Sequence, residues 1–330
     1  MKRRDLITLL GGAAAWPLAV RAQQATKTPR IGILSPGRSE NPILKMINAF
    51  LQGMRELGYI EGQNITIERR YADWNPERLA ALAAELVELK PDIIVAWSTT
   101  AALPAKQVTG TIPIVAVGVA DPVADGLVAS LARPGGNVTG TTFLGPELIA
   151  KRLQLLQEVV PGLARVAALW HPHAYSERTM AGVLKEVEAA TRTLGMQLQL
   201  VPADSPDDIA GAFAAMTREH AEALLVLPSP MLFGEYGRIV SMTANSRLPA
   251  MGAAREFVDV GGLMSYGVNL PDLAKQTATY VDKILRGATP AELPVEQPTK
   301  FELVINLKTA RELGLTISRE FLLIADAVVE

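Results

Sequence analysis

Three hydroxyl-bearing residues in a row, Ser98-Thr99-Thr100, directly follow the nearly continuous apolar run of residues 92–97. That run has the length and composition of a buried strand, and the hydroxyls open the helix that comes after it. A helix start offers unpaired backbone amides and the positive end of the helix dipole, to which side-chain hydroxyls add donors. Chemically this is a holder for a carboxylate. The same residues also read as a plain helix cap. Asp121 is the second candidate, standing between the apolar run 112–117 and Pro122. Its carboxylate either accepts hydrogen bonds from a ligand amine or caps the helix that an Asp-Pro pair begins. Ser35 and Arg38 lie in the loop after a strand expected at 30–34. Trp170, His173 and Ser176 lie at or just after the end of a strand expected at 165–170. An aromatic ring there covers an apolar ligand or belongs to the core. Ser229, Glu256 and Tyr266 are loop or hinge candidates, each with a structural role as its alternative.

Several chemistries are excluded. The chain has no cysteine, so disulfides, thiolate metal sites and a thiol nucleophile are out. His171 and His173 have no third ligand nearby, so no metal is expected. No cofactor is expected either, because no P-loop, H-E-x-x-H or G-x-S-x-G pattern occurs. Pro134-Gly135-Gly136 leads into a strand rather than a helix start and is no phosphate cradle. A net charge of −2 leaves no footprint for nucleic acid.

The elements that must position these residues follow from periodicity. Strands are expected at 30–34, 64–71, 92–97, 112–117 and 138–143, alternating with helices that include one at 123–132. The pattern restarts near 147, with strands at 165–170, 197–201, 223–227, 248–251, 262–268 and 301–307 and a long helix at 270–286. This predicts an α/β fold of two Rossmann-like lobes with parallel sheets. A chain of 330 residues is long enough for two cores. In such sheets ligands sit outside the carboxyl ends of the strands, where most of the candidates stand. The N-terminus reads as an export signal over residues 1–22. Lys2-Arg3-Arg4 precedes an apolar run to Val20, and Val20-Arg21-Ala22 offers a cleavage site. The apolar run falls short of the ~20 residues a spanning helix needs. The paired arginines suit the twin-arginine route, with general secretion as the other.

Three stretches carry a resemblance. TIPIV-x(5)-DPV-x-x-GLV-x-SLARPGGNVTG, preceded by IEGQNITIERRYADWNPERL and followed by KFELVINLKTARELGL, resembles bacterial ABC-transporter substrate-binding proteins of the tryptophan-binding kind. The resemblance implies a periplasmic-binding-protein type I fold with three hinge crossings, near 143–145, 266–269 and 293–296. It implies a first lobe of residues 29–144 plus 267–292, and a second of 145–266 plus 293–330. The return of the long helix to the first lobe comes from the resemblance alone. The implied function is capture of a small amino-acid-like or aromatic carboxylate in the interlobe cleft by hinge closure, without bond making. The implied place is the periplasm, the implied partners are ABC permease membrane subunits, and the protein is expected to be a monomer. A sensory binding protein and an exported α/β enzyme remain the alternatives. A cytoplasmic repressor shares the fold, but an export signal stands where its DNA-binding helices would be.

Overall fold

Two stacks of alternating strands and helices account for the residues described by the computed structural model, 28–39 and 43–330. The expected export signal lies outside the described residues. The first lobe runs β1 (Arg30–Ser35), α1 (Ile43–Glu56), β2 (Thr66–Tyr71), α2 (Glu77–Glu88), β3 (Ile93–Trp97), α3 (Thr99–Val108), β4 (Ile114–Val119) and β5 (Val138–Thr142). Its strands pair in parallel in the order β2-β1-β3-β4-β5. β3 is buried along its whole length, so apolar residues must cover both faces of the sheet. They divide with the two-residue strand period. Ile31, Ile33, Ile93 and Val95 enter one core, and Leu34, Ile94 and Ala96 the other.

The helix expected at 123–132 does not form. The chain makes a tight turn, in which the amides of Leu127 and Val128 both donate to the Pro122 carbonyl. Gly126 then takes a left-handed φ of 68° and ends it. Leu127 and Val128 are still buried. The helical spacing was therefore a true sign of burial and a false sign of helix.

The second lobe begins with α4 (Ile149–Val159), β6 (Arg165–Trp170), α5 (Glu177–Thr193), β7 (Gln197–Pro202), α6 (Asp208–Arg218) and β8 (Ala223–Val226). It continues through α7 (Pro230–Gly234), α8 (Tyr236–Ser246), β9 (Ala250–Gly252), α9 (Glu256–Asp259) and β10 (Met264–Gly267). Next comes α10 (Leu270–Leu285), which packs on α1 of the first lobe. Gly53 permits the approach, since a Cβ there would stand 2.9 Å from that of Ala278. The chain ends with β11 (Glu302–Asn306), α11 (Leu307–Leu313), α12 (Arg319–Leu323) and β12 (Ala327–Val329). The sheet order is β12-β11-β10-β9-β8-β6-β7. β11 is antiparallel to β10, so this sheet is mixed where an all-parallel one was expected. The physical reason is the path: β11 re-enters the lobe after α10 has carried the chain away.

The stretch 293–296, expected as the third crossing, instead lies along β5. Thr142 N donates to the Glu296 carbonyl at 2.9 Å, Glu296 N donates to the Gly140 carbonyl at 3.0 Å, and the Thr139 hydroxyl donates to the Leu293 carbonyl at 2.7 Å. The chain passes to the second lobe only between Glu296 and β11.

Gly140 allows β5 to lie against β4. Its φ is 138°, and a Cβ there would stand 1.9 Å from the Ala116 carbonyl oxygen. Gly140→Ala should therefore destabilise the protein by ~3 kcal/mol or more, lowering Tm by roughly 6–12 °C. Gly136, with open space around its Cβ position, should accept alanine within ~0.5 kcal/mol. Thermal unfolding of the two variants checks both values.

Candidate functional site

β3 delivers the chain to Ser98, whose backbone sits at φ 74°, ψ 168°. That region is essentially reserved for glycine and costs ~1–3 kcal/mol for other residues. Neighbours hold it there: Ser98 N donates to the Val117 carbonyl at 2.9 Å, and Ala102 N donates to the Ser98 carbonyl at 3.1 Å. In this pose the Ser98 hydroxyl turns to the Thr100 hydroxyl at 2.7 Å. The Ser98 side chain makes no cap hydrogen bond to the first-turn amides of α3. Thr99 is fully buried, and its hydroxyl accepts from Ala120 N at 3.2 Å. Of the three hydroxyls, then, Ser98 and Thr100 face the space between the lobes and Thr99 ties α3 to the end of β4.

Ser98 lies on the wall of a pocket between the lobes whose space, counted together with its opening to solvent, is about 560 Å³. The first lobe contributes Pro36, Met46, Trp97, Val117 and Gly118 to it. These follow β1, end β3 and β4, or lie on α1, which is the crevice position expected of such a sheet. The second lobe contributes Tyr175, Pro228, Ser229, Pro230 and Phe233, while Phe143 at the first crossing and Leu270 and Leu273 of α10 close the rest. The wall is mostly apolar. Phe143 and Phe233 meet edge to face at 5.8 Å, and Phe233 continues through Tyr236 to Phe257 in the second core. Trp97 is buried, and its indole Nε1 has no partner among the described residues. Ser229 is buried and caps α7, accepting from Leu232 N at 3.0 Å.

A narrower cavity, about 280 Å³ when its opening to solvent is counted, adjoins the first and shares Pro36 and Pro230 with it. Thr100 and His173 are on its wall, together with Trp74 and His171. His173 Nε2 lies 3.1 Å from Asp204 Oδ1. Burial, and after it the neighbouring His173, push the His171 pKa down to about 4.

The remaining candidates lie away from both walls. Ser35 is buried and accepts from Gly37 N, shaping the loop that presents Pro36. Arg38 and Asp121 are exposed, and Asp121 Oδ1 accepts from Ala124 N at 2.9 Å within its own turn. Trp170 packs on the second core. Glu256 is half-buried, and burial raises its carboxyl pKa. Tyr266 packs its ring near Phe301 at 6.2 Å. Ser176 has a different place: it caps α5 and donates to Asp125 Oδ1 of the first lobe, to which Thr179 also donates at 2.6 Å. This is a direct polar tie between lobes, and no local pattern around Asp125 announces its part in it.

Arg152 of α4 is fully buried beside the crossings. Its Nε donates to the Tyr266 carbonyl at 2.7 Å and its Nη1 to the Gly145 carbonyl at 2.8 Å. One guanidinium thus holds the first and second crossings together. Desolvation pushes its pKa down to about 10, so it stays charged at neutral pH.

The two-lobed α/β architecture agrees with comparisons to known proteins. The profile of the family described as ABC transporter substrate binding protein matches residues 38–329. The chain belongs to that family. A relative named tyrosine-binding protein, from Clostridioides difficile, is 26% identical over 279 residues, covering 84% of this chain and 79% of its own. Two crystal structures are each 28% identical and cover 92% of this chain and 100% of theirs. One is a conserved domain protein of Vibrio cholerae, with a TM-score of 0.84. The other is an ABC domain of Streptococcus pneumoniae in complex with L-Trp, with a TM-score of 0.83. As a substrate-binding protein of this family, the chain has the type I fold expected from its sequence.

The buried imidazole has a measurable consequence. His171 takes up a proton near pH 6.5 when unfolded but only near pH 4 when folded. Between those values the unfolded chain binds more protons, so this residue's contribution to stability falls as pH drops from 6.5 toward 4 and is fully present above 6.5. His171→Gln should remove that slope. Urea unfolding at pH 7 and pH 4.5 should show the wild type losing roughly 2–3 kcal/mol more than the variant; equal losses would place the imidazole in water.

Proposed function

We propose that this substrate-binding protein serves an ABC importer outside the cytoplasm, taking an amino-acid-like or aromatic carboxylate between its lobes. The observation that carries the reading is the uncapped start of α3 beneath an apolar cavity. A carboxylate placed there would take the first-turn amides, the Ser98 hydroxyl and the dipole end together. Met46, Phe143, Phe233, Leu270 and Leu273 would surround an apolar body, and the Trp97 indole N–H adds a donor at the wall. The relatives support the ligand class: one is named for tyrosine and another was crystallised with L-Trp. Export is supported by the basic and apolar N-terminal segment. Among the described residues no helix is long and apolar enough to cross a membrane.

The work of such a protein is conformational. A ligand that touches both lobes favours the closed arrangement by the difference in its affinity for the two states. The tie from Asp125 to Ser176 and Thr179 belongs to the closed arrangement and adds to its stability. The permease membrane subunits would then receive the closed monomer.

Calorimetric titration of L-Trp, L-Tyr and L-Phe into the purified protein tests the reading, which predicts saturable binding of at least one. Ser98→Gly separates site from scaffold. It relieves the backbone strain, so stability should rise by ~1 kcal/mol, while loss of the hydroxyl should weaken binding about tenfold. Unchanged affinity would remove Ser98 from the site. Asp125→Ala should speed ligand release about five- to tenfold, seen by stopped-flow fluorescence, because only the interlobe tie is lost.

A further inference from the structure

The smaller cavity has walls from both lobes and two polar atoms that nothing in the main cleft uses. Trp74 Nε1 and His171 Nδ1 are buried, and neither has a hydrogen-bond partner among the described residues. Both side chains line this cavity, Trp74 from the first lobe and His171 from the second. A buried polar atom without a partner is costly, and here two such atoms face one cavity. The backbone sharpens the question. Asp73 and Trp74 sit at φ 55° and 63°, and a bulky residue in the left-handed region is an outlier. Asp73 N and Trp74 N pin this strained turn to the Gly37 and Pro36 carbonyls at 3.1 and 2.8 Å. The result is an indole that packs against the cores of both lobes. Strain of this kind persists where the surrounding structure over-determines it, and it gathers at ligand sites.

We infer that this cavity is a second subsite, taking a neutral oxygen-bearing group of the ligand that accepts from Trp74 Nε1 and donates to His171 Nδ1. The inference rests on the reading of the main cleft given above. Ser98 opens on the larger cavity and Thr100 on the smaller, so the start of α3 borders both. An apolar body fills the larger cavity. A hydroxyl or an amide fits the smaller one, because an indole N–H needs an acceptor and the unprotonated nitrogen of a neutral imidazole accepts a hydrogen bond. A charged ammonium does not fit, since it has no lone pair for the indole.

Two ligands supply that chemistry from different sources: a ring hydroxyl or the amide of a second residue. Affinities of L-Phe, L-Tyr and L-phenylalanylglycine distinguish them. The hydroxyl or the peptide compound should bind at least tenfold tighter than L-Phe. Trp74→Phe keeps an aromatic ring and deletes the donor; it should erase that preference while leaving L-Phe within twofold of wild type. His171→Phe should do the same and carries the comparison if the first variant fails to fold. Equal affinities for all three compounds would overturn the subsite while leaving the main-cleft reading intact, as would a uniform loss for all three in both variants. Binding of none of the three overturns the subsite, and if L-Trp also fails to bind it overturns both readings.

Discussion

The backbone of Ser98 is the constraint on which the cleft depends. An ordinary N-cap serine folds its hydroxyl over the helix start and satisfies an amide there. At φ 74°, ψ 168° the hydroxyl is turned away to Thr100, and the first turn of α3 is left without a side-chain cap. The strain is held by strand pairing, since Ser98 N is bonded to the Val117 carbonyl. Stability of the sheet is thereby converted into a polarised, uncapped helix end at the mouth of an apolar cavity. A self-capped helix would be more stable and would bind less.

Around that point the lobes contribute different things. The first supplies the polarised helix start, and the second supplies mainly apolar and aromatic surface that continues into its own core through Phe233, Tyr236 and Phe257. Contact across the gap is sparse and specific. One carboxylate, Asp125, receives two hydroxyls of α5, and one indole, Trp74, reaches the opposite core.

Much of this was legible in the sequence. Apolar runs of five or six residues located nearly every strand, because a strand buried on both faces admits little else. The hydroxyl triplet marked the start of a helix, and burial of Thr99 assigns its hydroxyl to Ala120. Three kinds of information were missing. Spacing cannot tell an amphipathic helix from a turn whose apolar residues happen to face inward, as at Leu127 and Val128. Pairing direction is set by the path between lobes, so the antiparallel β11 was invisible locally. Residues acting across the gap, such as Asp125 and Trp74, carry no local sign, because their partners lie tens of residues away.

Arg152 bears on how the molecule can bend. A buried guanidinium bonded only to carbonyls would be expensive to leave half-bonded. Pulling Gly145 away from Tyr266 would do that. These two strands are therefore welded into one leaf. Any rotation of one lobe against the other must twist that leaf as a unit, with the slack taken up in the proline-containing stretch between Glu296 and β11. The molecule has three connections but only one axle.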